Sequence, residues 1–340
     1  MSGLAVGAFL APTRDTPDHI ALAESLGFRS AWCYDSPLLY ADPFVTLARA
    51  AERTRTIALG VGAIVPGLRA PVATAAALRT LAALAPGRLR ACVGAGFTGR
   101  FTLGLPPVSL ARLEKEVRDL RALVRGDPAE HPEGGAVVRP IPVPGAEGGG
   151  EVPIYVACRG PRAQALAARL GDGAMTGIFY PAGLAAVRAG LGPSLPLAVH
   201  AVAAVADPGE PLDSPRLRRA VGPVVGVAFH AFAEQPWRVE GLDPGLRAEA
   251  EDYMGWAARL PADRRHLELH RGHLVELVHE RDERLVTEAN VRRFAFCGTA
   301  EELRERAGAL AEMGAAELIV QPGGDVADEL RRLAGALLDR

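Results

Sequence analysis

Along most of the chain, short runs of consecutive apolar residues alternate with longer stretches whose apolar positions recur every third or fourth residue. The runs fall at 4–10, 29–34, 56–65, 89–95, 154–158, 174–176, 196–205 and 317–321. Few alternate apolar with polar, so they predict strands covered on both faces, as in a parallel sheet. The stretches between them predict helices with recognisable ends. Gly27 closes a helix over 16–26, Asp42 caps one running to Arg53, and another covers 71–84. Ser109 caps a helix to Arg125 that turns Leu113, Val117, Leu120 and Val124 inward. Further helices are expected near 182–189, from Thr299 with Glu302 completing a capping box, and over 326–338. Eight strand-helix units in one chain predict a closed (β/α)8 TIM barrel. The expectation is a single domain over 1–340, with insertions at 97–108 and 214–293 on the C-terminal face and a Pro- and Gly-rich excursion over 126–150.

The stretch 153–177 (PIYVACRGPRAQALAARLGDGAMTG) reads as strand, Gly-Pro turn, helix, tight turn and strand. Pro161 suits the first helical position, and Ala163, Leu166, Ala167 and Leu170 form one apolar face ended by Gly171. A helix N-terminus beyond a parallel strand offers free N–H groups to a phosphate, and Gly160 lets an anion approach, with Arg159 and Arg162 flanking. A plain strand-helix turn is the other reading of the same residues. Asp35 at the tip of the second strand is either a ligand-binding or proton-moving carboxylate, or a turn-former before Ser36-Pro37. Gly60 and Gly62 inside the third strand predict a bulge or the close approach of a flat group. Gly94-Ala95-Gly96 ends the fourth strand without the third glycine of a dinucleotide fingerprint. His266, His270 and His273, with Glu276, have helical spacing; they are a metal site, a pocket lining or a solvated face. The interleaved Arg264, Arg265 and Arg271 favour the solvated face, so no metal is expected. His200 within the seventh strand reads as a satisfied core residue.

Composition narrows the function. The chain has 340 residues and net charge −2, with 5% aromatics, which gives no electrostatic or stacking footprint for nucleic acid. Four cysteines without a CxxC pair read as buried free thiols in a reducing compartment. The N-terminal segment lacks a basic region and the chain has no membrane-length apolar run, so a cytoplasmic protein is expected.

Three segments carry a resemblance to a known family. They are 31–89, 153–177 and 298–322, which begin AWCYDSPLLYADPF, PIYVACRGPRAQ and GTAEELRERAGA. The chain resembles the luciferase-like monooxygenase superfamily, which includes bacterial luciferase and oxidoreductases dependent on coenzyme F420. The resemblance implies a phosphate turn at Gly160-Pro161 with Arg159, Ala163 and Gln164 beside it, and Thr176 at the next strand tip. It implies a non-prolyl cis peptide at Gly62-Ala63 with Ile64 alongside, Ala95-Gly96 beside the cofactor, and Asp35 next to its ring as the candidate acid or base. Two positions depart from the pattern: Ala63-Ile64-Val65 where many relatives carry Val-Thr-Asn, and Ser36 where many carry His. The implied function is F420-dependent hydride transfer to or from a small organic substrate. The alternatives are an FMN-dependent monooxygenase using reduced flavin and oxygen, and a non-catalytic flavin-binding barrel. A homodimer is expected, served by a separate flavin or F420 reductase. The pocket walls are expected from the two insertions, with Trp237, Tyr253 and Trp256 lending aromatic surface.

Overall fold

The computed structural model describes residues 3–130, 134–141, 143, 150–178 and 180–338. Eight parallel strands close on themselves: β1 (Ala5–Leu10), β2 (Ser30–Cys33), β3 (Ala58–Ile64), β4 (Leu89–Val93), β5 (Ile154–Ala157), β6 (Gly173–Thr176), β7 (Leu197–Val205) and β8 (Glu317–Gln321). Each pairs with the next, and β8 returns to β1 with Ala5 opposite Glu317 and Ala8 opposite Val320. The outer helices are α1 (Thr16–Leu26), α2 (Pro43–Arg53), α3 (Pro71–Leu84), α4 (Leu110–Arg125), α5 (Pro161–Leu170), α6 (Pro181–Leu191), α7 (Ala300–Glu312) and α8 (Val326–Leu337). This is the (β/α)8 barrel the alternation predicts.

The helix ends form where local chemistry directs. Asp42 accepts hydrogen bonds from the Phe44 and Val45 amides, and Ser109 accepts one from Arg112. Thr299 and Glu302 make the full reciprocal capping box. The inward positions expected on α4 are all buried.

Two apolar layers hold the barrel. Between strands and outer helices lies the main core, including Leu59, Val61, Leu113, Val156, Val199 and Leu318. Inside the barrel, Phe9, Trp32, Cys92, Tyr155, Met175 and Ile319 form a second cluster. Its largest rings fit because neighbouring strands carry no side chain there. A Cβ on Gly60 would lie 2.2 Å from the Trp32 ring, and one on Gly173 would lie 2.4 Å from the Tyr155 ring. The flat group approaching β3 at Gly60 is therefore this indole.

Between β7 and α7 the chain builds helices Pro215–Glu234 and Pro244–Ala257 and several shorter ones, which share a core of their own. A short strand, Phe296–Gly298, extends the edge of β7 opposite Ala203–Val205, an addition to the eight expected strands. In the 126–150 excursion, Ala129–Glu130 pairs antiparallel with Val137–Val138; residues 131–133, 142 and 144–149 of that expected excursion lie outside the described residues. So do residues 1–2 of the N-terminal segment. Among the described residues no helix is long and apolar enough to cross a membrane. All four cysteines are buried and free.

Candidate functional site

The residues singled out by their pattern gather at the C-terminal ends of the strands, where the βα loops converge. Asp35, just past β2, is 2% exposed. Its Oδ1 accepts from Arg69 Nη2 at 3.2 Å, and the same guanidinium reaches Asp42 at 2.9 Å and lies 5.0 Å over the Phe44 ring. Asp35 Oδ2 and Arg69 Nε are buried without a partner among the described residues. Burial raises the Asp35 carboxyl above the usual range, and Arg69 pulls only partly against it. A carboxyl with one oxygen anchored and the other unused can hold or pass a proton at Oδ2.

On β3 the Gly62–Ala63 peptide is cis, and the pairing with β4 shifts register between Val61 and Ile64. Ala63 packs on the interior cluster, and a Cβ on Gly94 would come within 2.9 Å of it. Gly96 has φ +84° and leaves room for Val65, so glycine is required there. Ala95 stays partly buried, its carbonyl accepting from the Val108 amide. Ile64 departs from expectation. Its side chain packs between strands and helices, and its carbonyl accepts from Gly94, so it is not brought to the mouth.

At the start of α5, Arg159, Gly160, Pro161 and Arg162 are exposed, and a Cβ on Gly160 would meet nothing. No side chain caps this helix; the Ala163 and Gln164 amides donate to the Gly160 carbonyl, which leaves the Arg162 amide uncommitted among the described residues. Ala163 is half-buried. Gln164 is turned inward: its amide donates to the Arg159 carbonyl at 2.9 Å, and its Oε1 fills the space beside Gly190. It braces the turn. Thr176 is 3% exposed, its hydroxyl accepting from Ile178 at 3.4 Å.

Several residues at this face carried no local signal in the sequence. Arg238, in the turn Pro236–Val239 of the insertion, lies 5.9 Å from the Phe97 ring. Burial and the nearby Arg159 pull its guanidinium down to about 10. Below the mouth, Phe9 contacts Tyr34 and His200 at centroid distances of 4.5 and 4.7 Å. Tyr34 and His200 both meet Gln321 Oε1. Burial drops His200 to about 4, so it is a neutral, bonded floor residue, as its strand position implied. Arg69 did carry a signal, a lone cation in the apolar loop after β3.

The histidines depart from expectation. The helix ends at Leu269, Gly272 and His273 have positive φ, and His270 and His273 are buried instead of forming a solvated face. Burial pushes His273 well below the usual range. His266 stands apart beside Gly104. Of the expected aromatic walls, Tyr253 is fully buried in the insertion core with Trp256 packed against that core, while Trp237 is 63% exposed in the turn that carries Arg238. A cavity of about 220 Å³ beside Arg121, Val152 and Asp172 opens at the opposite, N-terminal end of the barrel.

With this geometry in place, known proteins sharpen its meaning. The model of the luciferase-like monooxygenase family matches residues 3–317. The chain belongs to that family. Within the luciferase-like proteins, it is 32% identical over 168 residues to the 5,10-methylenetetrahydromethanopterin reductase of Archaeoglobus fulgidus, 48% of this chain and 49% of that one. It is 34% identical over 179 residues to the F420-dependent glucose-6-phosphate dehydrogenase of Beutenbergia cavernae, 47% of this chain and 51% of that one. The match thus spans about half the length of these curated relatives. The structure of the F420-dependent tetrahydromethanopterin reductase from Methanopyrus kandleri superposes with TM-score 0.67 over 99% of both chains, at 18% identity, which establishes a shared fold.

Proposed function

We propose that this luciferase-like protein is an oxidoreductase that binds coenzyme F420 at the C-terminal mouth and moves a hydride between it and a small organic substrate. One observation carries the choice of cofactor. Arg238 is half-buried beside Arg159, at the end of the barrel where the uncapped α5 N-terminus and Arg162 also stand, and among the described residues no carboxylate is paired with Arg238 or Arg159. Such an excess of positive charge fits a phosphodiester followed by further acidic groups better than a single phosphate ester. The residues present therefore fit the deazaflavin. The names of relatives above 30% identity, F420-dependent dehydrogenases among them, support the same reading.

The bound deazaflavin would supply the hydride chemistry. The chain's own residues do the rest. Gly160 admits the anionic tail to the backbone amides, while Arg159, Arg162 and Arg238 neutralise it. Gly62 and Gly94 let Ala63, Cys92 and Ala157 pack closely, and a flat ring would rest against that edge. Phe9, Tyr34, His200 and Gln321 close the floor against water. Asp35 holds or passes a proton at Oδ2, positioned by Arg69.

Separate anaerobic titrations with F420 and with FMN test this proposal. Saturable micromolar F420 binding at least about tenfold tighter than FMN is expected. Selective FMN binding would replace it with the monooxygenase reading, and binding of neither would remove the cofactor seat.

A further inference from the structure

We propose that His230, His270 and His273 form a three-imidazole site for a divalent first-row transition ion, zinc fitting best, which fastens the 214–293 insertion to the loop after β4. One ring nitrogen from each residue lies within 4.8 Å of the other two, and all three side chains are buried. They come from separate segments: His230 from helix Pro215–Glu234, and the other two from the turn following Arg265–Leu269. The Nδ1 atoms of His270 and His273 stand 3.3 Å apart. Two imidazole nitrogens at about 2.0–2.1 Å from one tetrahedral zinc would be separated by roughly 3.3–3.4 Å.

Two of the three outward nitrogens meet oxygens as they do around bound metals. His230 Nε2 meets Asp282 Oδ2 at 3.1 Å, and the Tyr253 hydroxyl donates to the other Asp282 oxygen at 2.9 Å. His273 Nε2 meets Thr98 Oγ1 at 2.9 Å, whereas His270 Nε2 stands 3.7 Å from Glu234 Oε1, beyond hydrogen-bond reach, and has no partner among the described residues. Metal-ligating histidines donate their outer N–H to oxygens as His230 and His273 would here, which leaves the inner nitrogen bare. With its proton on Nε2, towards Glu234, His270 would turn its Nδ1 lone pair against that of His273, and a cation between them removes the conflict. A proton shared by that pair would satisfy their contact alone. It would leave His230 Nδ1, buried and without a partner among the described residues, still unsatisfied.

The neighbouring arginines do not oppose a cation here. Arg271 is 59% exposed and faces Glu268, Arg264 is 60% exposed, and Arg265 donates to the Ala258 carbonyl. Three neutral nitrogen donors and no sulfur suit zinc, and water or a small anion completes the tetrahedron. Through His273 and Thr98 the ion would reach the short helix Thr98–Phe101, beside the ring that faces Arg238.

The test is zinc content by mass spectrometry after chelator treatment, repletion with zinc chloride and gel filtration of the whole protein. Cobalt-loaded samples are followed by visible absorption. One zinc per chain is expected in the wild type and in His266→Gln, whose ring lies outside the cluster, with near-complete loss in His230→Gln and His273→Gln. Should those variants fail to fold, the wild-type cobalt spectrum decides, because only a four-coordinate site gives intense visible bands. A wild type that retains no zinc, a six-coordinate cobalt spectrum, or equal zinc loss in His266→Gln would overturn the proposal.

Discussion

At the N-terminal end of the barrel, Glu317 is buried, but its oxygens accept from Ser30 and from Arg90. Glu24 nearby gathers the amides of Arg55, Thr56 and Ile57 on one oxygen, and Arg88 donates to three backbone carbonyls and to the Thr54 hydroxyl. At the C-terminal end, Asp35 keeps one oxygen and His230 and His270 each keep one nitrogen without a partner among the described residues, and Arg238 sits against another cation. Both ends bury a carboxylate, Glu317 at one and Asp35 at the other. The first satisfies those groups within the chain, and the second leaves them for something else to satisfy. Structure-holding polar groups can thus be told from ligand-directed ones by whether their hydrogen bonds close internally.

Substitutions that break one end without the other sharpen this contrast. The largest effect is expected deep in the barrel. Gly60→Ala would force a methyl into the Trp32 ring, costing about 3 kcal/mol in denaturant unfolding, and Trp32→Phe in the same chain should recover part of it. Recovery of nothing would mean the clash lies elsewhere. Next comes Asp35→Asn, expected to lower turnover about 100-fold while thermal stability changes little; an unaltered rate would remove Asp35 from the chemistry.

At the N-terminal end, Glu24→Ala should cost about 1–2 kcal/mol at pH 7, discounted for its solvent exposure. Partial burial pushes this carboxyl up, but the Ile57, Thr56 and Arg55 amides outweigh it and hold it at about 2. A depressed folded value makes its stabilisation complete above about pH 4.5 and lost as pH falls towards 2. The penalty should therefore vanish in acid, and a pH-independent penalty would refute the amide clamp. The smallest effect concerns Glu116 on α4, which burial raises to about 7. Its folded value lies above the unfolded one, so its protonated form favours folding below about pH 4.5, and that advantage is gone above pH 7. Glu116→Gln should raise the melting temperature by roughly 2 °C at pH 8 and leave it unchanged at pH 4.

The barrel was legible because each strand-helix unit is a local pattern. Buried runs, Asp42, Ser109 and the Thr299–Glu302 box all act within a few residues of themselves. The Gly160–Pro161 turn was legible as a local strand-turn-helix pattern, and the cis Gly62–Ala63 peptide through family resemblance. What was missed depends on distant neighbours. Nothing near Gly60 in the sequence says that Trp32 fills its space from the adjacent strand. Arg238 and His230 reach the C-terminal face only because the insertion folds back over the barrel, and no spacing rule records that return. The histidine periodicity misled for a physical reason: the helix ends at Leu269, and the left-handed Gly272 and His273 turn the chain so that His273 is buried near His230. Gly272 itself was the available signal.

The most direct test of the division between the two ends is an F420 titration of wild type, Arg238→Gln and Glu24→Ala, each paired with its melting temperature. Arg238→Gln should weaken F420 binding about tenfold at unchanged melting temperature, while Glu24→Ala should bind like wild type and melt earlier. Wild-type F420 affinity in Arg238→Gln would contradict the assignment of the C-terminal cations to an anionic cofactor.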